Sequence, residues 1–295
     1  MLRKLSQDRS KWLMALPTIA LLLLFSLYPL FSMLHMSFTR STLGQPFRAW
    51  VGLQNYKDAL VDRIFMTSIG NTLIFGFGVT IAELIIGFLL ALFFYRSVQA
   101  GRYLRTLALL PFIAPPVAVA MIWRLIYEPN VGLINHYLRQ WNITQQSIPF
   151  LGQPETSLLS IMVIDIWQWT PFVFILALAA LQSLPEEPYE AAAVDGATPF
   201  EVFRFITLPM MIPSLLVIGI IRLIGAFKVF DQVYMLTGGG PGISSQVATH
   251  YIYRTAFNSF NIGYASSMTI ILLVIVIVVI TALTLLHAYT VRRYD

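Results

Sequence analysis

Six apolar runs dominate the chain: Leu13 to Leu34, Ile69 to Phe94, Leu104 to Ile126, Leu158 to Leu181, Met210 to Val229 and Met268 to His287. A helix of about 20 apolar residues crosses the roughly 30 Å hydrocarbon core of a bilayer, and inside that core each backbone N–H and C=O must be satisfied within the structure. The runs therefore predict an all-α membrane protein with six transmembrane helices. The last run is rich in Ile and Val, but its uncharged length reads as a membrane helix and not as a strand. Only 11% of the residues are charged against 57% hydrophobic, about half the charge of a soluble domain. No fixed-period repeat or low-complexity linker interrupts the sequence, so residues 1–295 read as one domain.

The first run follows Arg3, Lys4, Arg9 and Lys11. A secretory signal has an apolar core of about 7–15 residues and a small-residue cleavage site. This run is longer and ends Ser32-Met33-Leu34-His35, so it reads as an uncleaved span. Six spans put both termini on one side. Nine Lys/Arg fall in three short segments there: the N-terminus, the Tyr95 to Arg105 link and the tail with Arg292 and Arg293. Three much longer loops opposite hold six. The positive-inside rule then places both termini in the cytoplasm. Tyr28, Trp123, Tyr127 and Tyr289 lie near span ends, where amphipathic rings suit the interface. The expected location is the cytoplasmic membrane of a bacterium or archaeon.

Several function classes drop out. The chain has no cysteine, and His35, His136, His250 and His287 stand far apart, so no metal site is expected. The net charge of +5 is carried by bases at span ends, which topology explains without nucleic acid. Thr237-Gly238-Gly239-Gly240-Pro241-Gly242 is a turn. It lacks the Gly-Lys-Ser/Thr ending of a phosphate-binding loop. No His-Glu-x-x-His or Gly-x-Ser-x-Gly motif is present, and the chain is read as a non-enzyme with no cofactor of its own.

The most informative polar interval, residues 182–209, lies between spans four and five on the cytoplasmic side. Pro185, Glu186 and Glu187 open a helix whose first turn favours acidic side chains. Gly196 can end it in the left-handed conformation. Thr198, Pro199 and Glu201 then supply a cap, a first-turn proline and a Thr-x-x-Glu capping box for a second helix. Up to Leu208 this helix-turn-helix carries five carboxylates against one base, Arg204. It reads either as a docking surface or as an amphipathic hairpin beside lipid.

The residue order Tyr189-Glu190-Ala191-Ala192-Ala193-Val194-Asp195-Gly196-Ala197, continuing through Phe203, Ile206, Leu208 and Pro209, resembles the signature loop of permease subunits of binding-protein-dependent ABC importers. Further phrases are similar to the carbohydrate subgroup, the maltose and glycerol-phosphate permease type. They are Phe47, Trp50, Val51-Gly52-Leu53 and Asn55-Tyr56; Ile122-Trp123-Arg124; Ile166-Trp167; Ala180-Leu181-Gln182-Ser183; and the Thr237 to Pro241 turn. The resemblance implies that Tyr189, Glu190, Ala191, Ala192, Asp195, Gly196 and Ala197 belong to a coupling helix, around residues 186–197, that docks on an ATPase. It also implies a second homologous permease, two ATPase subunits that bind ATP and Mg, and a soluble substrate-binding protein. The substrate would be a sugar, a sugar derivative, anionic ones included, or a polyol.

Three ionisable residues lie at membrane depth: Glu83, Asp165 and Arg222. Such groups usually face the protein interior or a water-filled cavity. Small neighbours Gly76, Gly78, Gly87 and Ala91 make Glu83 a polar helix-packing contact. Asp165 is about 10 Å from the outer end of span four and Arg222 about 18 Å from the inner end of span five, so the two are nearly level and can meet. They form a buried ion pair, or one or both line a substrate cavity. Pro111, Pro115, Pro116, Pro171 and Pro213 are expected to break the spans, which favours a transport site. By resemblance, Asp165, Gln168, Trp169 and Phe172 in span four and Arg222, Gly225, Ala226 and Val229 in span five fall on sugar-contacting positions. The maltose-type relative has small or amide residues where Asp165 and Arg222 stand, so its specificity does not transfer. Arg222 could also pair with an anionic substrate group. Lys228, Asp231 and Tyr234 form a gate or solvate the outer end. The rival reading is an ATP-independent secondary transporter or channel that uses Glu83, Asp165 and Arg222 as an ion pathway.

Overall fold

The computed structural model describes residues 2–96 and 109–294. Among them the chain is helical, with three isolated β-bridges and no strand. The helices are α1 (Leu2–Ser37), α2 (Gln54–Val61), α3 (Arg63–Arg96), α4 (Leu110–Ile113), α5 (Pro116–Ile126), α6 (Leu133–Gln140), α7 (Pro154–Gln182), α8 (Glu187–Val194), α9 (Pro199–Ala226), α10 (Asp231–Leu236), α11 (Ala248–Tyr253) and α12 (Ile262–Tyr294). Five of them, α1, α3, α7, α9 and α12, are long and apolar enough to cross a membrane. The start of the span expected from Leu104, and most of the basic link before it, lie outside the described residues. The rest of that span is α4 and α5.

The break between α4 and α5 falls at Ala114, whose extended backbone (ψ 135°) precedes Pro115 and Pro116. A residue before proline is pushed out of the helical region. Pro171 and Pro213, expected to break spans four and five, instead lie inside the continuous helices α7 and α9. The second helix of the acidic hairpin and the fifth span are one element, joined through a π-helical turn at Phe203–Thr207. There Leu208 N–H reaches back to the Phe203 carbonyl. Pro209 and Pro213 follow, and neither can donate a backbone hydrogen bond. Span five also ends earlier than expected, at Ala226, and α10 restarts at Asp231.

The chain forms two compact units, residues 1–62 with 252–272, and residues 63–251 with 273–295. In the first, the loop after α1 is fastened by buried polar groups. Asn55 donates to the carbonyls of Ser37 at 2.8 Å and Thr39 at 3.0 Å. Ser37 and Tyr56 share a 2.6 Å hydrogen bond, and Phe38 stacks on Trp50. The Trp50 to Tyr56 phrase singled out in the sequence thus caps this unit.

In the second unit α3, α7 and α9 pack through two apolar clusters. One contains Phe75, Val79, Ile161, Ile164, Ala226 and Val229. The other contains Phe88, Ala91, Val173, Phe174, Met211 and Ile218. At Gly87 a Cβ would stand 2.7 Å from a Val173 methyl and 3.0 Å from the Phe174 backbone nitrogen. Small residues let membrane helices approach this closely. The glycine-rich turn is also tied into this unit. Asn71 donates to the carbonyls of Ile243, Ser244 and Gln246 at 3.2, 3.1 and 2.9 Å, and Thr72 Oγ1 accepts from Ala248 N–H at 2.9 Å. Gly239 takes a positive φ of 88°, with Gln246 filling the space beside its Cα.

Because backbone cannot yield as a side chain can, Gly87→Val is expected to lower stability by about 1–3 kcal/mol. Thermal unfolding of the purified protein in detergent measures this.

Candidate functional site

Two places in the second unit gather the predicted site residues: the exposed hairpin and a cavity walled by α7, α9 and the start of α10.

The hairpin forms by the local rules its sequence carries. α8 begins after Glu186 and has Glu187 and Glu190 in its first turn. Gly196 has the left-handed φ of 72° that ends it. Thr198 caps α9: its hydroxyl accepts from Glu201 N–H, and the Glu201 carboxylate accepts from Thr198 N–H at 2.7 Å. Tyr189 hydroxyl donates to Thr207 Oγ1 at 3.2 Å and ties α8 to α9. Ala192 is buried, whereas Glu190, Ala191, Asp195 and Gly196 are exposed. Tyr189 and Ala197 are half-buried. The sequence reading concentrated on carboxylates and missed three large exposed apolar side chains, Val194, Phe200 and Phe205. Exposed apolar groups with a polar rim are the usual composition of a contact surface.

The cavity lies where α7 and α9 meet the start of α10 and has a volume of about 130 Å³. Six of the eight predicted substrate residues line it: Asp165, Trp169, Arg222, Gly225, Ala226 and Val229. Pro116, Lys228, Phe230, Asp231 and Gln232 complete the wall. Gln168 and Phe172 are not in it. Gln168 is buried behind the wall, and Phe172 stacks on Phe112. Tyr234 is exposed and also lies off the cavity wall.

Arg222 meets Asp165, and it meets Glu83 as well. Its Nε is 2.5 Å from Glu83 Oε2, and its Nη2 donates to Glu83 Oε1 at 2.9 Å. The same Nη2 pairs with Asp165 Oδ2. The guanidinium carbon also lies 4.8 Å from the centre of the Trp169 ring, a cation–π contact. Glu83 is therefore a full partner in an ion cluster as well as a helix-packing residue. All three groups are at least 96% buried, with exposures of 0% for Glu83, 4% for Asp165 and 2% for Arg222. On each helix the charged residue lies between the two apolar clusters. One face of Arg222 remains toward the cavity, because Gly225 has no side chain and a Cβ there would stand 3.4 Å from Nη1. Gln232 carried no sequence signal, since span five was expected to end at Val229 and only the restart at Asp231 turns it inward.

The chain belongs to the family of binding-protein-dependent transport system inner membrane components, whose family profile matches residues 83–295. It is thus a multi-pass permease component of an ABC importer. It is 37% identical over 260 residues to the trehalose/maltose transport system permease protein MalF of Thermococcus litoralis, covering 88% of this chain and 86% of that one. It is 31% identical to the trehalose transport system permease protein SugA of Mycobacterium tuberculosis, over 91% of this chain and 85% of the relative. A crystal structure of a bacterial ABC transporter involved in the import of the acidic polysaccharide alginate superposes with a TM-score of 0.84 at 27% identity, covering 98% of each chain.

Removing one partner from a buried ion cluster leaves uncompensated charge, at about 3–5 kcal/mol, whereas an all-apolar replacement of similar volume is near neutral. Arg222→Met is expected to lower thermal stability by that amount. Glu83→Leu, Asp165→Leu and Arg222→Met together should restore it while abolishing uptake. Parallel melting and transport assays separate the two effects.

Proposed function

We propose that this chain is one permease subunit of an ATP-driven importer of a neutral saccharide. The observation that carries the reading is the single helix α9. It begins in the capping box of the exposed hairpin and ends at the cavity, where it contributes Arg222, Gly225 and Ala226. A displacement of the hairpin is transmitted along one element to the wall of the site. The cavity suits a sugar: Trp169 offers an apolar ring face, and the cluster offers polar groups for hydroxyls. The trehalose- and maltose-named relatives support the same class.

A neutral substrate follows from the charge of the cluster. Arg222 is answered by two carboxylates. With either carboxylate ionised, the cluster has no net positive charge with which to hold an anion. An acidic sugar would thus meet no free guanidinium, although Lys228 stands at the cavity's edge.

At about 130 Å³ the cavity is below the roughly 300–1,000 Å³ of a ligand site. A second, homologous permease facing it would supply the remaining walls. One of two ATPase subunits would engage this chain's hairpin through Glu190, Asp195 and the exposed Val194, Phe200 and Phe205. A soluble binding protein would deliver substrate from outside, with both termini of this chain in the cytoplasm. The chain itself is expected to hydrolyse no ATP when purified alone.

The whole transporter, reconstituted in vesicles with its binding protein, is expected to accumulate trehalose or maltose only with ATP. Saccharide uptake that survives inactivation of the ATPases would overturn the ATP-driven role. The acidic hairpin calls for a basic rim on the ATPase cleft, so Glu190→Lys is expected to reduce uptake at least about tenfold while insertion and stability stay at the wild-type level, since like charges brought together at an interface cost several kcal/mol. Unchanged uptake in that variant would remove Glu190 from the docking surface.

A further inference from the structure

Behind the cavity wall two glutamines form a hydrogen-bonded relay whose direction can be deduced. Gln168 Nε2 donates to the Ala114 carbonyl at 2.9 Å. Ala114 is the extended residue that precedes Pro115 and Pro116, so its carbonyl is held outside the helices on either side. A backbone carbonyl can only accept, so the nitrogen of Gln168 must face it, and its oxygen must face the other way. That oxygen accepts from Gln232 Nε2 at 3.1 Å. Turning the Gln232 amide over would set two acceptors against each other. The orientation of Gln168 is therefore set by Ala114, and that of Gln232 by the Gln168 oxygen together with the Asp165 carboxylate, which also accepts a hydrogen bond from the Gln232 side chain.

The relay leaves one acceptor over. Gln232 lines the cavity and is 3% exposed, and its Oε1 is buried without a hydrogen-bond partner. Buried polar oxygens are nearly always satisfied. An acceptor held in fixed orientation in a cavity wall calls for a donor from whatever occupies that cavity. A hydroxyl supplies one; a carboxylate or phosphate ester oxygen would be repelled.

We propose that Gln232 is a specificity-determining residue that accepts a hydrogen bond from one hydroxyl of the saccharide. Gln168 is a positioning residue, which touches no substrate and acts, together with Asp165, by holding the Gln232 amide in its accepting orientation. This rests on the saccharide reading given above. It also reassigns Gln168, whose place in the sequence had implied direct sugar contact, and it gives the Pro115-Pro116 break a purpose: it presents the Ala114 carbonyl that anchors the relay.

The test uses the complete reconstituted transporter with trehalose, maltose and their monodeoxy derivatives, each lacking one hydroxyl. Uptake rates of parent and derivative are compared at saturating loaded binding protein, so that the binding protein's own selectivity drops out. The wild type is expected to disfavour one derivative by about tenfold, the scale of a hydrogen bond to an otherwise unpaired buried group. In Gln232→Leu that ratio is expected to fall within about twofold of unity, with the other derivatives unaffected. Gln168→Leu should weaken the same discrimination, and the double variant should be no worse than Gln232→Leu alone, because the two residues act as one unit. Should Gln232→Leu fail to assemble, Gln168→Leu carries the same comparison. Saccharide uptake with the full pattern of discrimination retained in either variant would overturn the assignment and leave Oε1 to a bound water. Absence of any saccharide uptake by the wild type would overturn the substrate reading itself.

Discussion

The guanidinium of Arg222 is the group on which the membrane-embedded part of the second unit depends. Burying one unpaired charge in a low-dielectric interior costs several kcal/mol even after relaxation. Arg222 meets this by facing carboxylates from two other helices, and each carboxylate in turn needs Arg222. Three helices are thereby locked at a common level, with apolar clusters above and below. A one-turn slip of any helix would leave at least one charge without its partner. Apolar packing of similar volume is often at least as stabilising as such a cluster; what the cluster adds here is the cost of the unpaired charge that a slip would leave.

The same cluster shapes the site. Carboxylates occupy Nε and Nη2 of Arg222, and Nη1 lies beside Gly225, which lines the cavity. Trp169 lies against the guanidinium, so its orientation follows from the cluster as well. Beside the cluster, the Ala114 carbonyl and the Asp165 carboxylate orient the amides of Gln168 and Gln232. The site is thus bounded by groups whose hydrogen-bonding directions are set before any ligand enters. Such preorganisation reduces the ordering that binding would otherwise require.

Two helices run between cavity and hairpin: α7, which ends at Gln182 where the hairpin begins, and α9, which is continuous with the hairpin's second helix. The π-helical turn of α9 at Phe203–Thr207 accommodates the prolines that follow without ending the helix. Tyr189, which joins α8 to Thr207 at that turn, links the hairpin's first helix to the same element. The cavity and the exposed hairpin thus stand at opposite ends of one continuous helix, the arrangement on which the proposed coupling rests.

What could be read from the sequence was local. The hairpin's caps, Gly196 as the end of α8 and the long apolar helices depend on residues within a turn or two of one another, and their rules act on neighbours in the chain. The approximate level of Asp165 and Arg222 followed from helical rise. Errors arose where a local rule met a tertiary environment: Pro171, buried, and Pro213, half-buried, are both tolerated within continuous helices, and the fifth span joins the hairpin through a turn that propensity does not specify. Only the tertiary structure decided that Arg222 takes Glu83 as well as Asp165, partners 139 and 57 residues away, that Gln168 turns behind the wall, and that Gln232 stands in it. Such pairings are chosen by which helix faces come together, and a single sequence specifies those faces only through the packing of the whole.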